Sequence, residues 1–273
     1  MIKKPFISVI VTTYNNIDVI ENCLKSIKNQ TFKDFELIVV DENSADGTQK
    51  IAKRYANQFI NKGNERCQKR NIGAEYSKSD YLFFIDSDME LPSKIIQEIH
   101  KLLDFNTLVM VPELSFGKGF WAKSKAFERS FYKGGDRSQG VRVYPKKVFI
   151  ELKGFDEKVL GAEDLDLFHR IKEKKKKIKV LETKNYILHN EGNLKYFQII
   201  KRMIYYSKSF AEYKRRHPQI FKKQLSIIRY IRKWKDMIRH PLLTFGFLLI
   251  KIGEASVVLY SIKKYSNYDK GHF

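Results

Sequence analysis

Apolar runs alternate with helical patterns through the first 112 residues. "FISVIVT" (Phe6–Thr12) is continuously apolar and predicts a strand buried on both faces. Across Asp18–Asn29, the residues Val19, Ile20, Cys23, Leu24 and Ile27 recur at helical spacing and predict an amphipathic helix. The alternation then repeats. Strands are expected at Phe35–Asp41, Phe59–Asn61, Tyr81–Asp86 and Thr107–Pro112. Helices are expected between them at Thr48–Ala56, Arg66–Tyr76 and Pro92–Leu103, the last with Pro92 in its first turn. Strands alternating with helices predict an α/β fold, a mostly parallel sheet flanked by helices.

The pattern changes after residue 112. Residues 113–145 scatter Gly117, Gly119, Gly134, Gly135 and Gly140 among aromatics, which predicts loops and a helix lining a cleft. A further helix and a strand-like return end at Lys184–Gly192. Two long basic helices are expected next, over about Leu194–His217 and Gln219–Arg239. The expected organisation is a domain over 1–192, in halves 1–112 and 113–192, followed by a helical extension over 193–273.

The charge is +21, from 52 Lys+Arg and 31 Asp+Glu, and it is uneven. Between Lys195 and Phe273 there are 18 Lys+Arg against 4 Asp+Glu. A local basic excess needs an anionic partner: nucleic acid, a membrane surface or a phosphorylated substrate. The same tail ends in the apolar stretch His240–Tyr265, which Lys251 and Glu254 interrupt. A membrane-crossing helix wants about 20 mainly apolar residues, and two central charges disfavour a crossing. An interfacial helix fits better, with basic residues such as Arg202, Lys208, Lys223, Arg229, Arg232 and Arg239 meeting anionic lipid.

Composition narrows the classes further. With 43% hydrophobic residues the chain can build a core, so global disorder is excluded. The two cysteines, Cys23 and Cys67, lie in helical stretches and do not pattern as a disulfide framework or a zinc site. The opening "MIKKPFISVIVTTYNN" lacks the apolar length and cleavage site of a signal peptide. The expected location is cytoplasmic, peripherally on the inner face of the plasma membrane.

Three strands end in distinctive polar residues: Thr12-Thr13-Tyr14-Asn15, Asp41-Glu42-Asn43-Ser44 and Asp86-Ser87-Asp88. Asn, Asp and Ser are ordinary turn formers. Three such clusters at successive strand ends are less ordinary, because ligands of open parallel sheets bind at the carboxyl ends of strands. Asp86 and Asp88 flank one residue, so both carboxylates can turn towards one hard cation, Mg²⁺ or Mn²⁺. Beside a diphosphate the pair would repel its ligand without that cation.

The string "SVIVTTYNN…CLKSIKNQTFKDFELIVVDENSADGT…RNIGAEYSKSDYLFFIDSDMELP" resembles the nucleotide-sugar-binding half of a family 2 glycosyltransferase with the GT-A fold. The resemblance covers about residues 5–192. It implies that Thr12, Tyr14, Asp41 and Glu42 hold the nucleoside. The family usually has Asp-Asp where this chain has Asp41-Glu42, which leaves the base open. The family's Ala-Arg-Asn run corresponds to Lys69-Arg70-Asn71 and implies a phosphate or nucleotide contact for Arg70. Asp86 and Asp88 match the metal-binding DxD, and His189 is implied near the metal or diphosphate.

"GFDEKVLGAEDLDLFHRI" (Gly154–Ile171) resembles the family's acceptor-side segment. Acidic residues at a helix N-terminus are favoured by the helix dipole in any protein. The Gly-Phe-Asp-Glu run upstream shifts the balance towards a functional Asp164. The implied reaction has an acceptor hydroxyl attacking the anomeric carbon of a nucleotide-activated sugar, with Asp164 as general base and inversion at that carbon. Glu163 would position the acceptor or the base, and Asp166 would cap the helix or pair, for example with Arg170. Trp121, Tyr132 and Gly134-Gly135-Asp136 fall where acceptor and sugar contacts would sit. The expected partners are a nucleotide-sugar donor and a glycan or lipid-linked acceptor. A polyprenyl-phosphate glycosyltransferase is an alternative. A sugar-phosphate nucleotidyltransferase would want a Gly-rich, Arg-containing loop after the first strand, where this chain has "TTYNN". A nucleic-acid binder would want basic residues interleaved with stacking aromatics, whereas these strand ends are acidic.

Overall fold

The computed structural model describes residues 4–131, 140–224 and 228–266. They form two compact units. The first comprises Met1–Glu113, Gln139–Glu157 and Glu163–Asn190; the second comprises Leu114–Ser138, Lys158–Ala162 and Glu191–Phe273. The chain therefore passes between units more than once, and residues 114–131 group with the C-terminal helices.

The first part of the chain runs β1 (Ile7–Thr13), α1 (Ile17–Lys28), β2 (Phe35–Asp41), α2 (Thr48–Tyr55), β3 (Gln58–Asn61) and α3 (Arg66–Tyr76). It continues with β4 (Tyr81–Asp86), β5 (Met89–Glu90), α4 (Ile95–Leu102) and β6 (Thr107–Met110). After β7 (Glu113–Phe116) and α5 (Gly119–Ser130), the first unit resumes with β8 (Val141–Pro145), α6 (Lys146–Glu151), α7 (Glu163–Lys174), β9 (Lys179–Glu182) and β10 (Ile187–Asn190).

The main sheet of the first unit has the order β3-β2-β1-β4-β8-β6-β9. Its neighbours are parallel except at β8, which runs antiparallel to both β4 and β6. The central strands β1, β2 and β4 are apolar on both sides because helices cover both faces. On one face Val9, Val11, Leu37, Phe83 and Ile85 pack with Ile20, Leu24, Ile27, Ile95 and Ile99. On the other, α3 lies so close to β1 that a side chain on Gly73 would fall on Ile10. Phe84 there joins Tyr144, Phe149 and Phe155 in an aromatic cluster whose contacts are edge-to-face except for the tilted pair Phe84–Phe149.

Helix α4 begins at Ile95, one turn after Pro92. The buried Gln30 side chain accepts from the Ile96 N–H at 3.1 Å and donates to the Pro92 carbonyl at 2.8 Å, so it caps the helix from outside. Strand β8 lies in the stretch read from sequence as loops and one helix. Its residues Val141, Val143 and Tyr144 are buried.

The second unit is helical: α5, α8 (Tyr196–Arg216), α9 (Pro218–Gln224), α10 (Ile228–Ile231), α11 (Trp234–Arg239) and α12 (Pro241–Ser266). Helix α12 packs on α5 and α8. Where one long helix was expected over about 219–239, the described residues break from helix at Arg232–Lys233, between Ile228–Ile231 and Trp234–Arg239. Helices α8 and α11 both end before a proline. His217 and His240 leave the helical region (ψ 58° and 63°) because a following proline ring disfavours it. One helix among the described residues is long and apolar enough to cross a membrane, Pro241–Lys264, with 28% of it buried.

Phe83 is fully buried at the centre of the sheet. Phe83→Ala is expected to lower stability by about 3–5 kcal/mol through lost burial and the cavity left behind, measured by urea denaturation. A loss under about 1 kcal/mol would contradict this placement.

Candidate active site

The register of the sheet brings the three polar strand ends together. Thr13 of β1 pairs with Asp41 of β2, and Thr12 pairs with Asp86 of β4. Each of the first two strands then turns through a left-handed asparagine, Asn15 (φ 47°) and Asn43 (φ 56°), a conformation Asn tolerates better than most residues. The two turns are tied to each other. The Asn15 N–H donates to the Ser44 hydroxyl at 2.8 Å, and the Ala45 N–H donates to the Asn15 side-chain carbonyl at 2.9 Å.

At this edge the nucleoside candidates separate in character. Tyr14 is half exposed, while Thr12 is buried. Asp41 is fully buried and accepts from the Ser44 N–H (2.8 Å) and hydroxyl (2.6 Å), so it holds its own turn in shape. Glu42 projects further and meets the Lys69 ammonium at 2.6 Å. Lys69 also donates to the Thr13 carbonyl at 3.1 Å and lies 5.9 Å from the Tyr14 ring centroid. Lys69 thus joins the first two strand ends, a role that its place in a helix did not announce.

Arg70, one residue on, is 5% exposed rather than a solvated helix charge. It donates to Asp86 at 2.6 Å and to Glu163 at 3.0 Å, and stacks 5.5 Å from the Phe155 ring. The pairing continues in both directions. Arg66 lies 2.6 Å from Glu163. Arg142 of β8 lies 3.9 Å from Asp86 and pairs closely with Glu113. Glu113 lies 3.0 Å from His189 Nδ1, and His189 Nε2 lies 3.3 Å from Asp88. The result is one row that alternates in charge from Glu163 through Arg70, Asp86 and Arg142 to Glu113, and continues through the His189 ring to Asp88. Arg142 and Glu113 were not singled out from sequence. The alternation Val-Arg-Val in β8, an arginine between buried valines, was the available signal.

The row sets the protonation of its members. Burial would raise the Asp86 carboxyl, but Arg70, Arg142 and Arg66 outweigh burial and hold it well below the usual carboxylate range. Glu163 behaves alike: burial opposes ionisation, and Arg66 and Arg70 overcome it, so its pKa is lowered. Asp164 is the exception. Burial first and the Glu163 charge second push it up to about 6, against Arg70 and Arg142. Among the described residues no cation stands within ion-pair distance of Asp164; one oxygen accepts from the Leu165 N–H at 2.8 Å.

Local packing fixes that carboxylate. Asp164 opens α7, whose Leu167, Phe168 and Ile171 are buried. Asp166 pairs with Arg170 at 2.8 Å, as expected from the spacing. Arg170 in turn donates to the carbonyls of Leu152 and Gly154, pinning α7 to the Gly-Phe-Asp-Glu turn. The turn is tied to α3 by Asn71, which donates to the Phe155 carbonyl and accepts from its N–H. Gly140 lies against Asp164, where any Cβ would fall on the carboxylate.

The expected metal residues divide. Asp86 is committed to Arg70. Asp88 has one oxygen, Oδ1, that is buried without a hydrogen-bond partner. If Glu113 accepts from His189 Nδ1–H, Nε2 turns its lone pair towards Asp88, and two electron-rich atoms 3.3 Å apart need a proton or a cation between them. The donor chemistry at Asp88 and His189 therefore suits a hard divalent ion. Among the described residues no three such donors surround one point.

Of the acceptor-side candidates, Trp121 lies on α5 in the second unit, packed against Tyr196 at 4.9 Å and Phe120 at 4.9 Å. Tyr132, Gly134, Gly135 and Asp136, and the side chains of Lys208, Lys223 and Arg229, lie outside the described residues.

The profile of glycosyl transferase family 2 matches residues 8–152, from the first strand through the antiparallel strand to the helix after it. The chain belongs to glycosyl transferase family 2. It is 28% identical over 178 residues to GalNAc(5)-diNAcBac-PP-undecaprenol beta-1,3-glucosyltransferase of Campylobacter jejuni, covering 58% of this chain and 57% of that one. The matches span about half the length of the curated relatives. In fold, it is similar to the mannosyltransferase PcManGT of Pyrobaculum calidifontis, solved with GDP-Man and Mn²⁺, with a TM-score of 0.62, 17% identity and coverage of 95% and 88% of the two chains. It is also similar to residues 1–349 of Staphylococcus aureus TarS in complex with UDP-GlcNAc, with a TM-score of 0.52, 18% identity and coverage of 96% and 92%. The mostly parallel sheet flanked by helices in this chain is the one expected from the sequence.

Arg70→Met would leave Asp86 facing Glu163 with their shared cation gone. The expected outcome is a loss of about 3 kcal/mol or more, read as a lowered denaturation midpoint. An unchanged midpoint would show that the two carboxylates do not rely on Arg70.

Proposed function

We propose that the chain is an inverting glycosyltransferase that moves a sugar from a nucleoside-diphosphate sugar to a hydroxyl acceptor, with Asp164 as general base. The observation that carries this reading is the raised carboxyl of Asp164, which among the described residues has no cation within ion-pair distance. Its carboxyl rises to about 6 while Asp86 and Glu163 beside it are held ionised by arginines. A base is most effective when its pKa lies near working pH, and enzymes raise carboxyl pKa values by burial and like charge.

In the proposed step the acceptor oxygen forms a bond to the anomeric carbon from the face opposite the diphosphate. The bond from that carbon to the diphosphate oxygen breaks, and the acceptor proton passes to Asp164. The nucleoside diphosphate leaves with the electron pair, and a single in-line displacement inverts the carbon. Thr12, Tyr14 and Glu42 would flank the nucleoside at the first two strand ends, with Asp41 shaping the turn and Lys69 holding Glu42. Arg70 would contribute positive charge towards the diphosphate. Glu163, held by Arg66 and Arg70, keeps like charge beside the base. Asp88 and His189, with Asp86 adjacent, would hold Mn²⁺ or Mg²⁺, which when bound supplies positive charge to the leaving diphosphate.

The acceptor class proposed is a lipid-linked or cell-surface glycan, at the inner face of the plasma membrane. The name of the Campylobacter relative, a transferase acting on an undecaprenol-linked glycan, supports that class. So does the apolar C-terminal helix.

Asp164→Asn is expected to lower kcat about 10²–10⁴-fold while donor affinity, read by calorimetry, stays unchanged. Loss of donor affinity to the same degree would remove the base assignment. The sign of the pH dependence follows from a base that must be ionised. The rate should fall about tenfold per unit as pH drops below about 6. A rate flat from pH 7 to pH 5, as a base with an unshifted carboxyl of about 4 would give, would count against it.

Chelation is the second measurement. EDTA should abolish transfer and Mn²⁺ should restore it, and Asp88→Ala should weaken Mn²⁺ binding as followed by its electron spin resonance. Full turnover after exhaustive chelation would reject the metal assignment.

A further inference from the structure

Helix α12 carries its polarity the wrong way round for a helix facing water. Its two central charges point into the second unit. Lys251 pairs with Glu254 at 2.6 Å and with Glu128 of α5, and Lys125 of α5 reaches Glu254 at 2.8 Å and Glu128 at 2.7 Å. The outward face is apolar: Leu242, Phe245, Leu248, Ile252, Leu259 and Tyr260 are all exposed. These positions recur at helical spacing along one side. Leu242, Ile252 and Leu259 are 75%, 64% and 68% exposed. A contiguous stripe of this kind on a soluble surface marks a site of association.

Three occupants are conceivable: lipid that α12 crosses, lipid on which it lies, or a second copy of the chain. Crossing is opposed by the packing. Gly246 sits against Ser124 and Phe120 of α5, and Gly253 against Tyr196 and Ile200 of α8, so one side of α12 is sheathed along its middle. The four-residue charge cluster lies on that sheathed side. A crossing would carry the cluster into hydrocarbon or break it. Charge decides between the other two. Arg232, Lys235 and Arg239 are exposed just before α12, and Lys263 and Lys264 at its end. Five cations around an apolar stripe suit an anionic bilayer, whereas two copies would bring like charges together.

We propose that α12 is a monotopic docking surface that lies flat in the headgroup boundary of an anionic bilayer, apolar face towards the acyl chains and ion-paired face towards its own unit. The inference rests on the membrane-surface location proposed above and names the face, the depth and the lipid charge.

The test uses the full chain with vesicles of phosphatidylcholine alone or mixed with phosphatidylglycerol. Co-sedimentation should favour the anionic vesicles and weaken with salt. Ile252→Glu and Leu259→Glu alter exposed positions and should each weaken binding about tenfold or more, with an unchanged melting midpoint. Arg232→Gln and Lys235→Gln should each weaken it about fivefold. Depth is read by a fluorophore on Leu242→Cys, Ile252→Cys or Leu259→Cys, quenched by lipids brominated at known positions. Cys23 and Cys67 are buried, so the label goes to the introduced thiol.

Equal shallow depth at all three positions is the expected result. A profile deepest at 252, with 242 and 259 near opposite surfaces about 26 Å apart, would overturn the flat orientation while keeping the membrane location. Absence of binding to either vesicle would overturn both. A lipid-free dimer that Ile252→Glu converts to monomer would assign the stripe to a second copy instead.

Discussion

Arg70 sits between Asp86 at the end of β4 and Glu163 at the start of α7, 2.6 Å from one and 3.0 Å from the other. Two elements separated by 77 positions in the chain are thereby held at one guanidinium. Buried carboxylates without a cation would protonate or push apart. With Arg70 between them they stay ionised and close. The stacking of Arg70 on Phe155 and the two Asn71 hydrogen bonds to that residue hold the guanidinium and the Gly-Phe-Asp-Glu turn together. The position of α7, and so of Asp164, follows from this junction. The same junction explains why Asp164 differs from its neighbours: Glu163 takes the arginines and becomes a fixed negative charge next to the base.

Much of the first unit was legible because its strands are buried on both faces. A continuous run such as Phe35–Asp41 can hardly be anything but a central strand, and the observed β2 has the same bounds. The polar residues ending β1, β2 and β4 stood out against such runs. The sequence could not say which of them face a ligand and which face the protein. Asp41 and Glu42 are adjacent and both acidic, yet Asp41 turns inward to Ser44 while Glu42 reaches Lys69. That choice is made by backbone direction in a turn with Asn43 left-handed, which no period records.

Strand β8 escaped for a different reason. Its five residues follow a glycine-rich stretch and include an arginine in what proves to be the middle of a sheet. An arginine there is tolerable only because Glu113 and Asp86 wait for it, and both are distant in sequence. The row of alternating charge is thus a tertiary object. Its members lie on β4, β7, β8, β10, α3 and α7 or directly after them, and pairing, not spacing, selects them. His189 illustrates this: the run "YILH" locates it on a strand, but only Glu113 on one nitrogen and Asp88 on the other make it part of the site.

The C-terminal helix inverts the same logic. From sequence, Lys251 and Glu254 interrupt an apolar run, and the natural inference is that water must reach them. The structure instead satisfies them internally with Lys125 and Glu128, and Glu128 is driven down to about 2 by those lysines despite its burial. A charge that finds its partner inside frees the opposite face from any need to be polar. The apolar stripe of α12 is therefore a consequence of where its charges are neutralised. In both units the decisive step is the same: placing opposite charges in contact determines which groups remain available, a raised carboxyl in the first and an uncovered apolar surface in the second.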